Sequence, residues 1–103
     1  MYLVHILLPW QPDGDQAMQQ QRFARERDEL VRRFGGVTAY SRAPAKGLWR
    51  DDESGVVVPD DIVVLEVMTP TLDESWWADH RADLERRFEQ DEIVVRAHPV
   101  RRL

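Results

Sequence analysis

The chain has 103 residues, 43% apolar, 9% aromatic and 32% charged, with a formal net charge of -5 and no cysteine. That length holds a single domain, residues 1–103, and the apolar content argues against disorder. An acidic chain with dispersed arginines lacks the basic stripe of a nucleic-acid binder, and without cysteine there is no disulfide framework, thiolate metal site or thiol nucleophile.

Tyr2–Trp10 has the length and apolar density of a central strand, closed by Pro9 and Pro12. No basic segment or small-residue cleavage site precedes it, and the apolar stretch around Ile6–Leu8 is far too short to span a bilayer. A soluble, cytoplasmic protein with no membrane partner is therefore expected. Gln11-Pro12-Asp13-Gly14 is turn chemistry, and Asp15 is placed to cap a helix. From Gln16 to Phe34 the apolar residues Phe23, Ala24, Leu30, Val31 and Phe34 recur at helical spacing, and Gly35-Gly36 ends the helix.

Val37–Arg42 alternates as a second strand. Residues 43–60 are too long for a plain turn. Leu48-Trp49-Arg50 and Val56-Val57-Val58, flanking Asp51–Gly55, predict a small hairpin projecting from the sheet. Ile62–Met68 is the third main strand. Thr71-Leu72-Asp73-Glu74 predicts a capping box for a second helix reaching to about Gln90, and Glu92–Val100 is the last strand.

The order β-α-β-β-α-β is that of the ferredoxin-like split βαβ, an α+β fold with antiparallel strand order 4-1-3-2 and both helices on one face. Side-chain alternation supports it. In one register Val4, Ile6, Leu8, Val37, Ala39, Val63, Leu65, Val67, Ile93, Val95 and Ala97 all face the helices. The other face then carries His5, Thr38, Tyr40, Arg42, Glu66, Arg96 and His98, with Leu3, Leu7, Val64, Met68 and Val94 between them. Such a mixed face suits an interface, and two sheets packed face to face would make a homodimer.

Two constellations carry candidate chemistry. On the open face, His5, Glu66 and His98 have the residue types of a divalent-metal site, and Tyr40 can reach Glu66 across strands; a hydrogen-bonded network fixing a dimer is the plainer reading, and no metal or cofactor is expected. On the helical side, His80 falls within an apolar arc containing Trp76 and Trp77, and Arg27 near the centre of the first helix's arc. A satisfied core histidine and a snorkelling arginine are the plain readings; aromatic walls around a few polar groups are also what a ligand cavity needs. Trp10, at the end of the first strand, and Trp49, with Tyr40 and Lys46, are placed to line a subunit contact or the lip of such a pocket.

The stretch Ser75-Trp76-Trp77-Ala78-Asp79-His80-Arg81 resembles the Trp-containing, His-bearing second helix of the dimeric α/β barrel superfamily, which includes the antibiotic-biosynthesis monooxygenase group. Phe34-Gly35-Gly36-Val37-Thr38-Ala39-Tyr40, followed by Gly47-Leu48-Trp49, is similar to a narrower set of small uncharacterised bacterial proteins. The superfamily resemblance implies a cavity between sheet and helices with His80 at its edge. Two readings follow. One is a non-catalytic dimer binding a small organic ligand or a partner. The other is a cofactor-independent monooxygenase- or isomerase-like enzyme for a small aromatic or quinone-like substrate, with His80 as base, Arg27 holding an anionic oxygen, and Trp76, Trp77 and Tyr40 as walls.

Overall fold

The computed structural model describes the backbone of residues 1–50 and 57–103, and the side chains of residues 1–40 and 61–103. The elements run β1 (Tyr2–Trp10), α1 (Gln16–Phe34), β2 (Thr38–Arg50), β3 (Val57–Thr69), α2 (Glu74–Arg87) and β4 (Val94–Pro99). The sheet order is β2-β3-β1-β4, and every pairing is antiparallel, as the ferredoxin-like pattern requires.

Helix α1 starts and stops where its chemistry dictates. Asp15 accepts a hydrogen bond from the Met18 N–H at 3.0 Å. Gly35 takes the left-handed conformation, φ 85°, and its N–H donates to the Val31 carbonyl at 2.8 Å. Helix α2 is shorter than expected at both ends. Asp73, not Thr71, is its N-cap and accepts from the Trp76 N–H at 3.1 Å. That bond, with a second from the Ser75 hydroxyl, holds the Asp73 carboxyl below its ordinary value. The helix ends at Arg87 because Phe88 turns into the core and Glu89 adopts a positive φ of 53°.

The central strand β1 lies between β3, where Ile6 faces Leu65, and β4, where Ile6 faces Val95. Pro9 sits in this central strand without cost to β4, because the β1–β4 pairing ends at Leu7. Strands β2 and β3 extend well beyond the expected spans: the two segments expected to form a hairpin do pair, Trp49 opposite Val58 and Arg50 opposite Val57, as the continuation of these strands rather than as a separate element. The register slips between Tyr40 and Ala45, a segment containing Pro44, which has no N–H to give the ladder. Strand β4 begins later than expected. The Ile93 N–H donates to the Glu85 carboxylate at 2.9 Å, which binds this residue to α2 before the ladder starts.

The helix-facing side of the sheet supplies Val4, Ile6, Leu8, Leu65 and Val67, each at most 2% exposed, packed against Leu30 of α1 and Trp77 and Leu84 of α2. Ala39 and Ala97 lie on the same side yet are exposed. The uncovered strip over β2 and β3 becomes a groove.

Candidate functional site

Three regions hold the polar groups that the fold brings together. The first is a clamp between the helices. Glu26, fully buried on α1, accepts from the His80 Nε2 of α2, with the nitrogen 2.7 Å and 3.0 Å from its two oxygens. A carboxylate only accepts, so Nε2 carries the proton. The Arg87 Nη2 donates to the same carboxylate at 2.9 Å. Arg87 Nη1 lies 3.7 Å from Glu29, and its Nε is 3.1 Å from Asp83 but not aligned to donate to it. Trp76 stacks on the His80 ring at 4.6 Å and 13°, and the Arg33 guanidinium lies over the Trp76 ring at 4.0 Å. Trp77, 6% exposed, stacks on Phe34 at 5.2 Å.

Glu26, Glu29 and His80 each offer a ligand atom within 4.8 Å of the others. A metal ion there would have to displace the Arg87 guanidinium, which already neutralises Glu26, and break the His80 hydrogen bond. The arrangement works as a neutralised strut between two helices.

The second region is the groove between α1 and the β1–β3–β2 side of the sheet, with a volume of about 560 Å³. Trp10, Phe23 and Ala24 form its walls, Ala39, Val63 and Leu65 its base, and Gln20 and Arg27 its polar rim. Gln19 fixes the loop beside it: its side chain accepts from the Gln11 N–H at 2.7 Å and donates to the Gln11 carbonyl at 2.9 Å. This amide-to-amide pairing holds Trp10, the adjoining residue, in place.

The third region is the open sheet face. Tyr40 lies diagonally from Glu66 and its hydroxyl donates to that carboxylate at 2.7 Å. His5 Nε2 is 3.8 Å from Glu66, and the His5 and His98 rings are 5.6 Å apart. Met68, 45% exposed, and the half-buried Leu3, Leu7, Val64 and Val94 surround this network.

The structure thus brings His5, His98, Glu66 and Tyr40 together, and gathers His80 with Trp76 and Trp77. It separates His80 from Arg27. The Arg27 side chain is 55% exposed, with its Nε 3.7 Å from Asp28, and it sits on the groove side of α1. The core-facing stripe of α1 runs Gln19, Phe23, Glu26, Leu30, Phe34, which leaves Arg27 about 100° round the helix from Glu26. The reason is that Glu26 finds a cation and a histidine on α2, which makes its burial tolerable. Tyr40 walls no pocket with the tryptophans of α2, because it stands on the opposite side of the sheet. The side chains of Trp49 and Lys46 lie outside the described residues; the Trp49 backbone pairs with Val58 in the β2–β3 arm. Sequence pattern alone does not single out Glu26, Arg87 or Phe23 as site residues, whereas Trp10, expected at a subunit contact or a pocket lip, lines the groove. The one available signal is spacing, with Glu26 three residues after Phe23 and four before Leu30.

No protein-family model and no curated protein matches the sequence. The likeness is to solved structures. A phage SAM lyase in complex with S-methyl-5'-thioadenosine is 14% identical, with a TM-score of 0.61 over 94% of this chain and 79% of the lyase. The periplasmic divalent cation tolerance protein CutA from Archaeoglobus fulgidus is 14% identical, with a TM-score of 0.60 over 99% of this chain and 86% of CutA. The divalent cation tolerance protein Cut A1 from Thermus thermophilus is 17% identical, with a TM-score of 0.60 over 97% of this chain and 84% of that one. At such identities these neighbours share the ferredoxin-like α+β fold with this chain. The resemblance to the antibiotic-biosynthesis monooxygenase group gains no support from them.

The clamp and the open face each make a measurable claim. Glu26→Ala takes from the buried His80 ring and the Arg87 Nη2 the acceptor they share, and chemical denaturation should show a loss of about 3–5 kcal/mol. Glu26→Leu combined with Arg87→Met should recover a large part of that. A loss under about 1 kcal/mol for Glu26→Ala would show that the clamp contributes no more than an exposed pair. At the open face, Glu66 accepts the hydrogen bond of the Tyr40 hydroxyl and its charge opposes the phenolate, which raises Tyr40 above its ordinary 10.0. The stabilisation is therefore present below the ordinary phenol value and is lost as pH rises through the raised one. Glu66→Gln should move the Tyr40 phenolate absorbance to lower pH, and an unmoved titration would contradict the pairing.

Proposed function

We propose that this domain binds a small organic ligand in the groove between α1 and the sheet, and does not transform it. The observation that supports this reading is the groove itself, a concavity of about 560 Å³ with aromatic and aliphatic walls and two polar side chains at its rim. Its size and composition match those of small-molecule sites. The phage lyase neighbour, with the same fold, is in complex with S-methyl-5'-thioadenosine, so a protein of this fold can hold a small molecule. The binding reading is favoured over the enzyme reading because no proton acceptor lines the groove among the described residues. His80, the candidate base, is 5% exposed and committed to Glu26.

An amide-correlation NMR screen of the ¹⁵N-labelled protein with small organic fragments tests this. Saturable shifts are expected at the Trp10 indole and the amides of Ala24, Arg27 and Val63. Fragments that shift only the open sheet face, or nothing, would overturn the groove as the site.

A second reading concerns self-association. The apolar residues between the polar groups of the open sheet face support a homodimer in which two such faces pack together. Sedimentation at micromolar concentration should give a dimer mass that Met68→Lys with Val94→Lys reduces to the monomer, with unchanged far-ultraviolet circular dichroism. A monomer for the parent protein would contradict it.

A further inference from the structure

We infer that the occupant of the groove is a planar aromatic carboxylate. This rests on the groove reading above and adds the chemistry of the ligand. Trp10 and Phe23 stand with their ring centroids 5.7 Å apart and tilted by 51°, forming a wall of aromatic surface. Neither ring is loosely held. Phe23 packs edge-on against Phe88 at 5.6 Å and 74°, and Trp10 adjoins the loop that Gln19 ties down through both backbone groups of Gln11. The base is aliphatic, the exposed Ala39 with the nearly covered Val63 and Leu65, 4% and 2% exposed. A rigid aromatic wall over a flat aliphatic base favours a flat apolar body, since stacking and dispersion both grow with the area in contact.

The polar end selects charge. Arg27 is the one charged side chain among the described lining residues. It lies one helical turn beyond Phe23, which places it on the same side of α1. Its acidic contact among the described residues is Asp28, 3.7 Å from Nε, with both side chains more than half exposed. A pair of that length and exposure holds the guanidinium weakly. The guanidinium fork matches a carboxylate through two parallel hydrogen bonds, and Gln20, two helical turns earlier on α1, is the other polar side chain of the groove. A cationic ligand would meet Arg27 as a like charge. A volume of about 560 Å³ admits one or two fused rings with a carboxylate.

The test is titration of the ¹⁵N-labelled protein with 2-naphthoate and with its neutral counterpart 2-naphthamide. It reads the Trp10 indole signal in the parent protein and in Arg27→Gln and Arg27→Lys, and the Arg27 Nε signal in the parent. The expected result is saturable 2-naphthoate binding, at least tenfold tighter than 2-naphthamide. Arg27→Gln should remove that preference, and Arg27→Lys should retain part of it. Arg27 is exposed, so these variants keep the fold, and unchanged thermal unfolding verifies it. Equal binding of the two probes with no effect of Arg27→Gln would overturn the carboxylate inference and leave the groove as a site for neutral molecules. Failure of both probes, with other fragments still shifting the groove signals, would also overturn it while sparing the groove. Failure of both probes and of every fragment there would remove the inference and the groove reading together.

Discussion

The buried carboxylate of Glu26 is the constraint around which this domain is arranged. A charge with no exposure is costly in a protein interior unless donors surround it, and here the donors come from the other helix, His80 and Arg87. The interaction spans 54 residues of sequence to His80 and 61 to Arg87. It acts as a register lock: shifting either helix by a residue would strand a charge, whereas an apolar contact would tolerate the slip. The stack of Arg33, Trp76 and His80 extends the lock towards the end of α1.

That lock reaches the groove through the rotation of α1. With Glu26 and Leu30 turned inward, Phe23 sits at the boundary, while Ala24 and Arg27 face the open strip over β2 and β3. The groove is thus a consequence of two unrelated facts. One is the rotational setting of α1. The other is the open strip beside α1, with Ala39 of β2 and Val63 and Leu65 of β3 at its base. Its chemistry belongs to the residues one step round from the inward stripe, and the clamp and the groove share a helix without sharing a polar side chain.

The fold was legible because alternation and helical spacing are local. Ile6, Leu65 and Val67 sort to one face by counting twos, and Asp15 and Gly35 mark the ends of α1 by backbone chemistry alone. The location of polar contacts was legible only in part. His5, His98, Tyr40 and Glu66 could be grouped because strand order and parity place them together. Helical spacing nominates Arg27 as the inward polar residue of α1, whereas the structure turns Glu26 inward. Hydropathy ranks both as outward, and only the partners on α2 decide between them. Those partners lie on another helix, beyond the reach of any local window. Asp73 in place of Thr71 as the cap of α2 is a smaller case of the same kind, since both residue types can cap and the chain path chooses.

The strand order also has a consequence for how the chain must be made. Strand β1 is synthesised before both of its neighbours in the sheet, β3 and β4, and β4 starts only at Val94. At ribosomal speeds the wait between this strand and its last partner is roughly 5–20 s. Through that interval Val4, Ile6 and Leu8, which end fully covered, have no finished sheet to enter. Pairing between strands so distant in sequence is intrinsically slow. The nascent chain therefore carries the apolar residues of β1 without their strand partners until β3 and β4 have been made.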